Sequence, residues 1–172
     1  MKYILPILAL MLSANTVFAQ INWMSFEEAW EANKKEPKKM LVDVYTDWCG
    51  PCKMMDQKTF KQPDIVKYIN KNFYAVKLNA ERKDSVTIDG RTYFFVKAGR
   101  RGIHTLAKAV MKDSPGYPTV TFFNEKGELI KAIPGYKSAL EMDKLLHFYN
   151  ENHYERTPYN LFEKTFRSRL EP

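Results

Sequence analysis

Cysteine is scarce in this chain. There are two in 172 residues, Cys49 and Cys52, and neither stands near Ala19, where a lipid would be attached. Histidine is almost as rare, and His104, His147 and His153 have no paired ligand spacing. Two cysteines three apart are only half of a tetrahedral set, so the composition speaks against a structural zinc site, and no metal or other cofactor is expected. Long apolar runs are missing too: Ile4 to Leu12 is the longest candidate, it is broken by Pro6, and it falls short of the ~20 residues that a membrane-spanning helix needs. The formal net charge is +7, but the basic residues lie in short groups such as Lys34-Lys35, Lys38-Lys39 and Arg100-Arg101. Such groups read first as solvated faces, and without a basic stripe interleaved with aromatics no nucleic acid is expected. There is no internal repeat and no low-complexity linker.

The N-terminus reads as an address. Lys2 gives a short positive region, Ile4 to Leu12 an apolar one, and Val17-Phe18-Ala19 a small-residue cleavage site, so residues 1–19 are expected to be a signal peptide. An uncleaved membrane anchor is the alternative. Without that segment the chain keeps 153 residues and its charge falls from +7 to +6, since only Lys2 is lost. That length suits one domain, expected over residues 20–152, and 45% hydrophobic residues supply a core. Export, with the bacterial periplasm as the expected compartment, would make disulfides possible. A bond between Cys49 and Cys52 would close so small a loop that it would constrain the unfolded chain little, so the pair reads as reactive rather than as a staple.

Local signals outline the elements. Ser25 and Glu28 form a capping box for a helix that Pro37 ends. Met40 to Thr46 reads as a buried strand holding one acid, Asp43. Helices are expected over Lys53–Phe60 and Asp64–Asn72, then a strand over Phe73–Leu78. Asp89-Gly90 marks a two-residue type I′ hairpin within Val86–Phe95. A helix over Ile103–Met111, strands over Thr119–Phe123 and Leu129–Ile133, and a helix from Ser138 to about Glu151 complete the pattern. This order fits an α/β mixed central sheet flanked by helices. In the tail, residues 153–172, Phe162, Phe166 and Leu170 recur at near-helical intervals, which suggests a helix packed back on the domain.

The chemistry concentrates in Trp48-Cys49-Gly50-Pro51-Cys52, between a buried strand and a helix. Free N–H groups and the dipole at a helix N-terminus favour a thiolate, so Cys49 is expected to attack and Cys52, one turn inside, to resolve. These residues, with Leu41-Val42-Asp43 before them and Val76-Lys77-Leu78-Asn79, Tyr117-Pro118-Thr119 and Pro134-Gly135-Tyr136 after them, resemble the thioredoxin family over most of residues 40–150. The run Cys52-Lys53-Met54-Met55, followed by Thr59-Phe60, is similar to the exported branch that includes the C-terminal domain of the DsbD transporter. The chain departs from thioredoxins at Tyr45, where they carry tryptophan, and at Gln57, where they carry proline. It also departs in the longer stretch between Asn79 and Pro118, an insertion at about 80–102 with a β-hairpin and a basic loop.

The resemblance implies a thioredoxin fold and thiol–disulfide oxidoreductase activity. Asp43 would accept a proton from Cys52, Lys77 would partner Asp43, and Trp48 would flank the sulfurs. A cis-proline at Pro118 would let the backbone of Tyr117 receive an extended substrate, with Gly50 and Pro51 completing the contact surface. The Gly-Pro dipeptide and Asp43 favour a reductase or isomerase over an oxidase. The expected partners of a monomer are exported protein substrates and an unidentified redox partner, a membrane electron donor being one candidate. A non-catalytic peptide-binding or holdase module on the same fold is the alternative.

Overall fold

The computed structural model describes residues 20–112, 114 and 116–170; the segment read as a signal peptide lies outside them. The chain runs β1 (Trp23–Met24), α1 (Phe26–Lys35), β2 (Met40–Tyr45), α2 (Gly50–Lys58), α3 (Pro63–Asn72) and β3 (Tyr74–Asn79). Four short strands follow: β4 (Val86–Ile88), β5 (Arg91–Tyr93), β6 (Phe95–Ala98) and β7 (Arg101–His104). Then come α4 (Thr105–Met111), β8 (Thr119–Phe123), β9 (Leu129–Pro134), α5 (Ala139–Asn150), a 3-10 turn (His153–Glu155) and α6 (Tyr159–Thr165). The central sheet has the order β1-β3-β2-β8-β9, with β1, β3 and β2 parallel and β8 and β9 antiparallel. Among the described residues no helix is long and apolar enough to cross a membrane.

Alternation along β2 explains how the two faces fill. Leu41 joins Met55, Ile65, Ile69, Phe122, Met142 and Leu146 under α2, α3 and α5, while Met40, Val42 and Val44 join Phe26, Val76, Leu106 and Val110 under α1 and α4. Asp43, two residues from Leu41, therefore points to the α2 side. The capping box at Ser25 and Glu28 forms as the spacing predicts, and a second one forms at Ser138 and Glu141. In the tail, α6 packs back through Phe162, buried in the α3–α5 cluster; it ends at Thr165, so Phe166 and Leu170, which the spacing placed on the same helix, follow it outside the helix and still lie against that cluster.

Between β3 and α4 the structure corrects the sequence reading. Asp89 and Gly90 both have positive φ, 49° and 78°, as a type I′ turn requires, and they join β4 to β5. What reads as a basic loop at Arg100-Arg101 is a second hairpin: Gly99, at φ 59°, opens its turn, and Arg101 pairs with Ala98. Ile103 belongs to β7 and not to a helix, because His104 ends the strand and caps α4 by accepting the Leu106 N–H on Nδ1 at 3.2 Å. Gly102 is required in β7, since a Cβ there would stand 2.3 Å from Phe95 Cζ and 2.4 Å from the Val96 carbonyl.

Candidate functional site

The site is assembled where β2 runs out and α2 begins. After Tyr45 the chain turns, the Cys49 N–H donates to the Thr46 carbonyl at 3.1 Å, and Cys49 becomes the N-cap of α2. Its Sγ accepts the N–H of Cys52 at 3.1 Å while a disulfide joins it to the Sγ of that residue. Pro51 sits in the first turn, where a missing N–H leaves no helical bond unmade. The Cys52 amide thus points at the Cys49 sulfur from the first turn of α2, which favours a thiolate there. In the disulfide form both cysteines are buried alike: Cys49 is 3% exposed and Cys52 1%. Gly50 and Pro51 stand open to solvent beside them, and a Cβ on Gly50 would meet nothing within 4 Å.

A charged cluster on the α2 side of the sheet joins β2, β3 and α2, the helix that Cys49 caps. Asp43 is fully buried, and Lys77, its register partner on β3, donates from Nζ to its Oδ2 at 2.5 Å. The other oxygen, Oδ1, has no hydrogen-bond partner among the described residues. Burial pushes the Asp43 carboxyl up to about 6, against the pull of the Lys77 ammonium. Lys77 is held above its usual value by Asp43 and Asp56, although its own burial works the other way. The ammonium lies about 5 Å from the ring centroids of Trp23 (5.1 Å) and Tyr45 (5.0 Å) and 5.5 Å from that of Phe60, so Tyr45 takes part in screening this cation. Asp56, on α2, was missed by sequence reasoning: it also accepts from Lys77 and leads the cluster toward solvent. Its position four residues after Cys52, on the same helix, was the available signal.

Trp48 is 48% exposed and is held on three sides. Its Nε1 donates to Glu81 at 3.2 Å, the edge of Tyr117 meets it with centroids 5.8 Å apart, and the Arg101 guanidinium lies 3.7 Å from its ring centroid. The peptide bond between Tyr117 and Pro118 is cis. The Pro118 carbonyl accepts from Gly135 at 2.7 Å, and Thr119 Oγ1 donates to the Gly116 carbonyl at 2.9 Å, fixing the segment beside Trp48. All nine residues singled out in the sequence therefore lie on two adjoining features, the β2–α2 junction with its charged floor and the Tyr117-Pro118 turn. Arg101 and Glu81 join them from the insertion, through contacts with Trp48 that no local signal announced. Among the described residues, no group of three or more His, Cys, Asp or Glu side chains is placed to hold a metal ion. His104 is buried, with Nε2 3.0 Å from the Asp84 carbonyl.

Comparison with known proteins gives a consistent family. A family profile described as a thioredoxin-like domain matches residues 26–150. The chain is 29% identical over 101 residues to the thiol:disulfide interchange protein DsbD of Pectobacterium atrosepticum, a match covering 59% of this chain and 14% of that protein. It is 28% identical over 69 residues to thioredoxin-T of Drosophila melanogaster, covering 37% of this chain and 42% of that protein. These curated relatives are thus matched over less than half of their own length. Among solved structures, a candidate disulphide-isomerase from Bacteroides thetaiotaomicron superposes with a TM-score of 0.56 at 25% identity, covering 81% of this chain and 98% of the other. A thioredoxin-fold protein from Helicobacter pylori superposes with a TM-score of 0.58 at 18% identity, covering 74% and 83%, a likeness of fold.

Proposed function

Since the chain belongs to the thioredoxin-like domain family, we propose that it is an exported enzyme that exchanges disulfides with protein substrates through a mixed disulfide at Cys49. The observation that carries this reading is the Cys49 sulfur at the N-cap of α2, accepting the Cys52 amide while bonded to the Cys52 sulfur. In the reduced enzyme the Cys49 thiolate attacks one sulfur of a substrate disulfide, and the other substrate sulfur leaves as a thiolate and takes a proton. Cys52 passes its proton to the Asp43 carboxylate and attacks Cys49 Sγ. The second substrate sulfur departs, leaving a reduced substrate and the Cys49–Cys52 disulfide. The unpartnered Oδ1 of Asp43 and the raised affinity of its carboxyl for a proton suit that acceptor role. The Tyr117-Pro118 turn, against Trp48, is where the backbone of an extended substrate would lie.

The reductive or isomerising direction is favoured by the Gly-Pro dipeptide and by Asp43. It requires a dithiol electron donor to return two electrons to the disulfide. Similarity to an interchange protein and to a candidate disulphide-isomerase supports the same direction of use. Residues 1–19 support export.

Reduction of insulin by the purified protein tests the reading. Wild type should reduce it, Cys49→Ser should abolish the activity, and Cys52→Ser should accumulate mixed disulfides through Cys49. In the reduced enzyme, limiting iodoacetamide should label Cys49 first, since even a two-unit difference in thiol pKa is ~2.7 kcal/mol of preferential thiolate stabilisation. Labelling of Cys52 first, or equal trapping by both serine variants, would overturn the assignment. Insulin binding without turnover would point to the holdase alternative.

A further inference from the structure

The second hairpin has one occupied face and one open face. Residues paired across β6 and β7 share a side, so Phe95, Lys97, Gly102 and His104 lie on one face and Val96, Ala98, Arg101 and Ile103 on the other. The first face is filled: the Phe95 ring lies over Gly102 with Lys83 Nζ 3.1 Å from its centroid, and His104 is buried. The second face turns toward the exchange site. Arg101 covers Trp48, and Ile103 forms a wall of a cleft of about 390 Å³ with Met111, Tyr117, Lys108 and Lys112. Tyr117 is common to the cleft and to the Trp48 contact, so the cleft continues the turn that ends in Pro118.

Charge indicates what would lie there. Lys108 and Lys112 are exposed at the cleft, and Arg101, over the Trp48 ring that meets Tyr117, is exposed next to it, with Arg100 at the hairpin tip. Among the described residues none of these four cations has a carboxylate partner, and the acid beside Trp48, Glu81, is engaged by Trp48 Nε1. Ile103 and Met111 make the cleft lining apolar, and Val96, paired with Ile103 and 42% exposed, extends it along the hairpin. An extended peptide running from the Tyr117 backbone would place alternate side chains in this cleft and its neighbours between the cations.

Resting on the proposed exchange activity, we infer that the cleft between α4 and β7 is a specificity subsite, selecting protein substrates whose reactive cysteine is flanked by an extended, acidic segment with an apolar side chain. The insertion would thereby choose substrates while the Cys49–Cys52 pair performs the exchange. Such selection acts mainly on encounter and register, and salt weakens it.

The test uses the pre-reduced full-length protein and two synthetic peptides. Each carries one cysteine as a mixed disulfide with 2-mercaptoethanol and one nearby leucine, flanked by glutamates in one peptide and by lysines in the other. Each single-turnover rate is divided by the rate of the same peptide with dithiothreitol, which removes the intrinsic effect of the flanking charges. Wild type should favour the acidic peptide by about tenfold at low salt, the sum of a few exposed charge contacts, and the preference should fade near 1 M salt. Lys108→Glu with Lys112→Glu should invert the ratio, and Arg101→Glu should lower it independently from its place over Trp48. A ratio near one in wild type, or one unmoved by either charge reversal, overturns the inference. Hydroxyethyl disulfide separates the two levels of the argument: its reduction without any peptide preference sinks the subsite alone, and its failure to react sinks the exchange reading and the subsite with it. A charge reversal that changes the sedimenting mass while the ratio stays fixed would assign the cleft to a second copy of the chain, and would likewise overturn the inference.

Discussion

Two networks of carboxylates and cations bind this molecule together, and they respond to pH in opposite directions. Under the exchange site, Asp43 is buried against Lys77 and its carboxyl is pushed up to about 6 by burial. At the root of the insertion, Arg82 donates two hydrogen bonds to Glu27 at 2.8 and 3.0 Å and also reaches Asp84, while Asp89 accepts from Lys34 and from Trp30 Nε1. There the Asp84 carboxyl is pulled down to about 2, chiefly by the Arg82 hydrogen bond, and Asp89 is lowered by Lys34. The pairing is the same in kind, so the surroundings set the sign: desolvation dominates inside, and hydrogen bonding dominates where water still reaches. The buried network holds a proton in reserve. The surface network fastens β4 and β5 onto α1.

The largest expected effect comes from removing the buried charge. Because the folded pKa of Asp43 lies above the unfolded value, the folded state holds more protons between about pH 4 and 6, and ionisation costs stability as pH rises through that window. Asp43→Asn should therefore stabilise the fold by roughly 2–3 kcal/mol above pH 6 and by almost nothing below pH 4. Denaturant midpoints across pH would show it. The same variant should slow resolution of the mixed disulfide in single-turnover kinetics between about pH 6 and 9; unchanged rates would remove Asp43 from proton transfer.

A smaller effect, of opposite slope, is expected at the root of the insertion. Arg82→Met should cost about 1 kcal/mol at low salt, less at high salt, and should raise amide hydrogen exchange in residues 80–104 more than in the central sheet. The support that Asp84 gives is present above about pH 4 and is lost as pH falls toward 2. His104 sharpens the contrast, since burial lowers its pKa and its Nδ1 must be unprotonated to accept from Leu106. Its contribution is complete above about pH 6.5 and lost as pH falls, so protection of the Leu106 amide should drop between pH 7 and 5 while that of Val42 in β2 holds. The smallest effect is expected at Asp89. Asparagine keeps the turn conformation and an acceptor for Trp30, so Asp89→Asn should leave the melting temperature nearly unchanged. Asp89→Val, a β-branched residue at φ 49°, should lower it measurably.

The parts that were legible in the sequence are those that local chemistry specifies. The helix cap at Ser25, the helix start at Ser138, the Asp89-Gly90 turn and the strand-to-helix passage at Cys49 each carry their signal within a few residues. The parts that were not legible depend on contacts distant in sequence. Strand β1 is two residues long and exists because Trp23 and Met24 pair with Ala75 and Val76. The second hairpin was obscured because its turn holds Arg100 and its strand β7 continues straight into α4, so the apolar residues of β7 and α4 merge into one pattern. His104 is an unusual N-cap, and its role follows from burial against Asp84. Asp56 is one exposed-looking acid on α2, distinguished only by the fold that brings Lys77 to it.

The distribution of tryptophan gives the molecule an optical map. There are three, and each stands at a different part of the structure: Trp23 beside the Lys77 ammonium, Trp30 donating to Asp89 at the first hairpin, and Trp48 between Arg101 and Tyr117. Replacing any two with phenylalanine leaves a single emitter whose spectrum reports on one region. Emission from Trp48 alone would follow the redox state of the neighbouring sulfurs and the lifting of Arg101 as a substrate settles. Trp23 would follow ionisation beneath the site, and Trp30 would stay silent until the insertion itself came loose. The protein can thus be watched in three places without any attached dye.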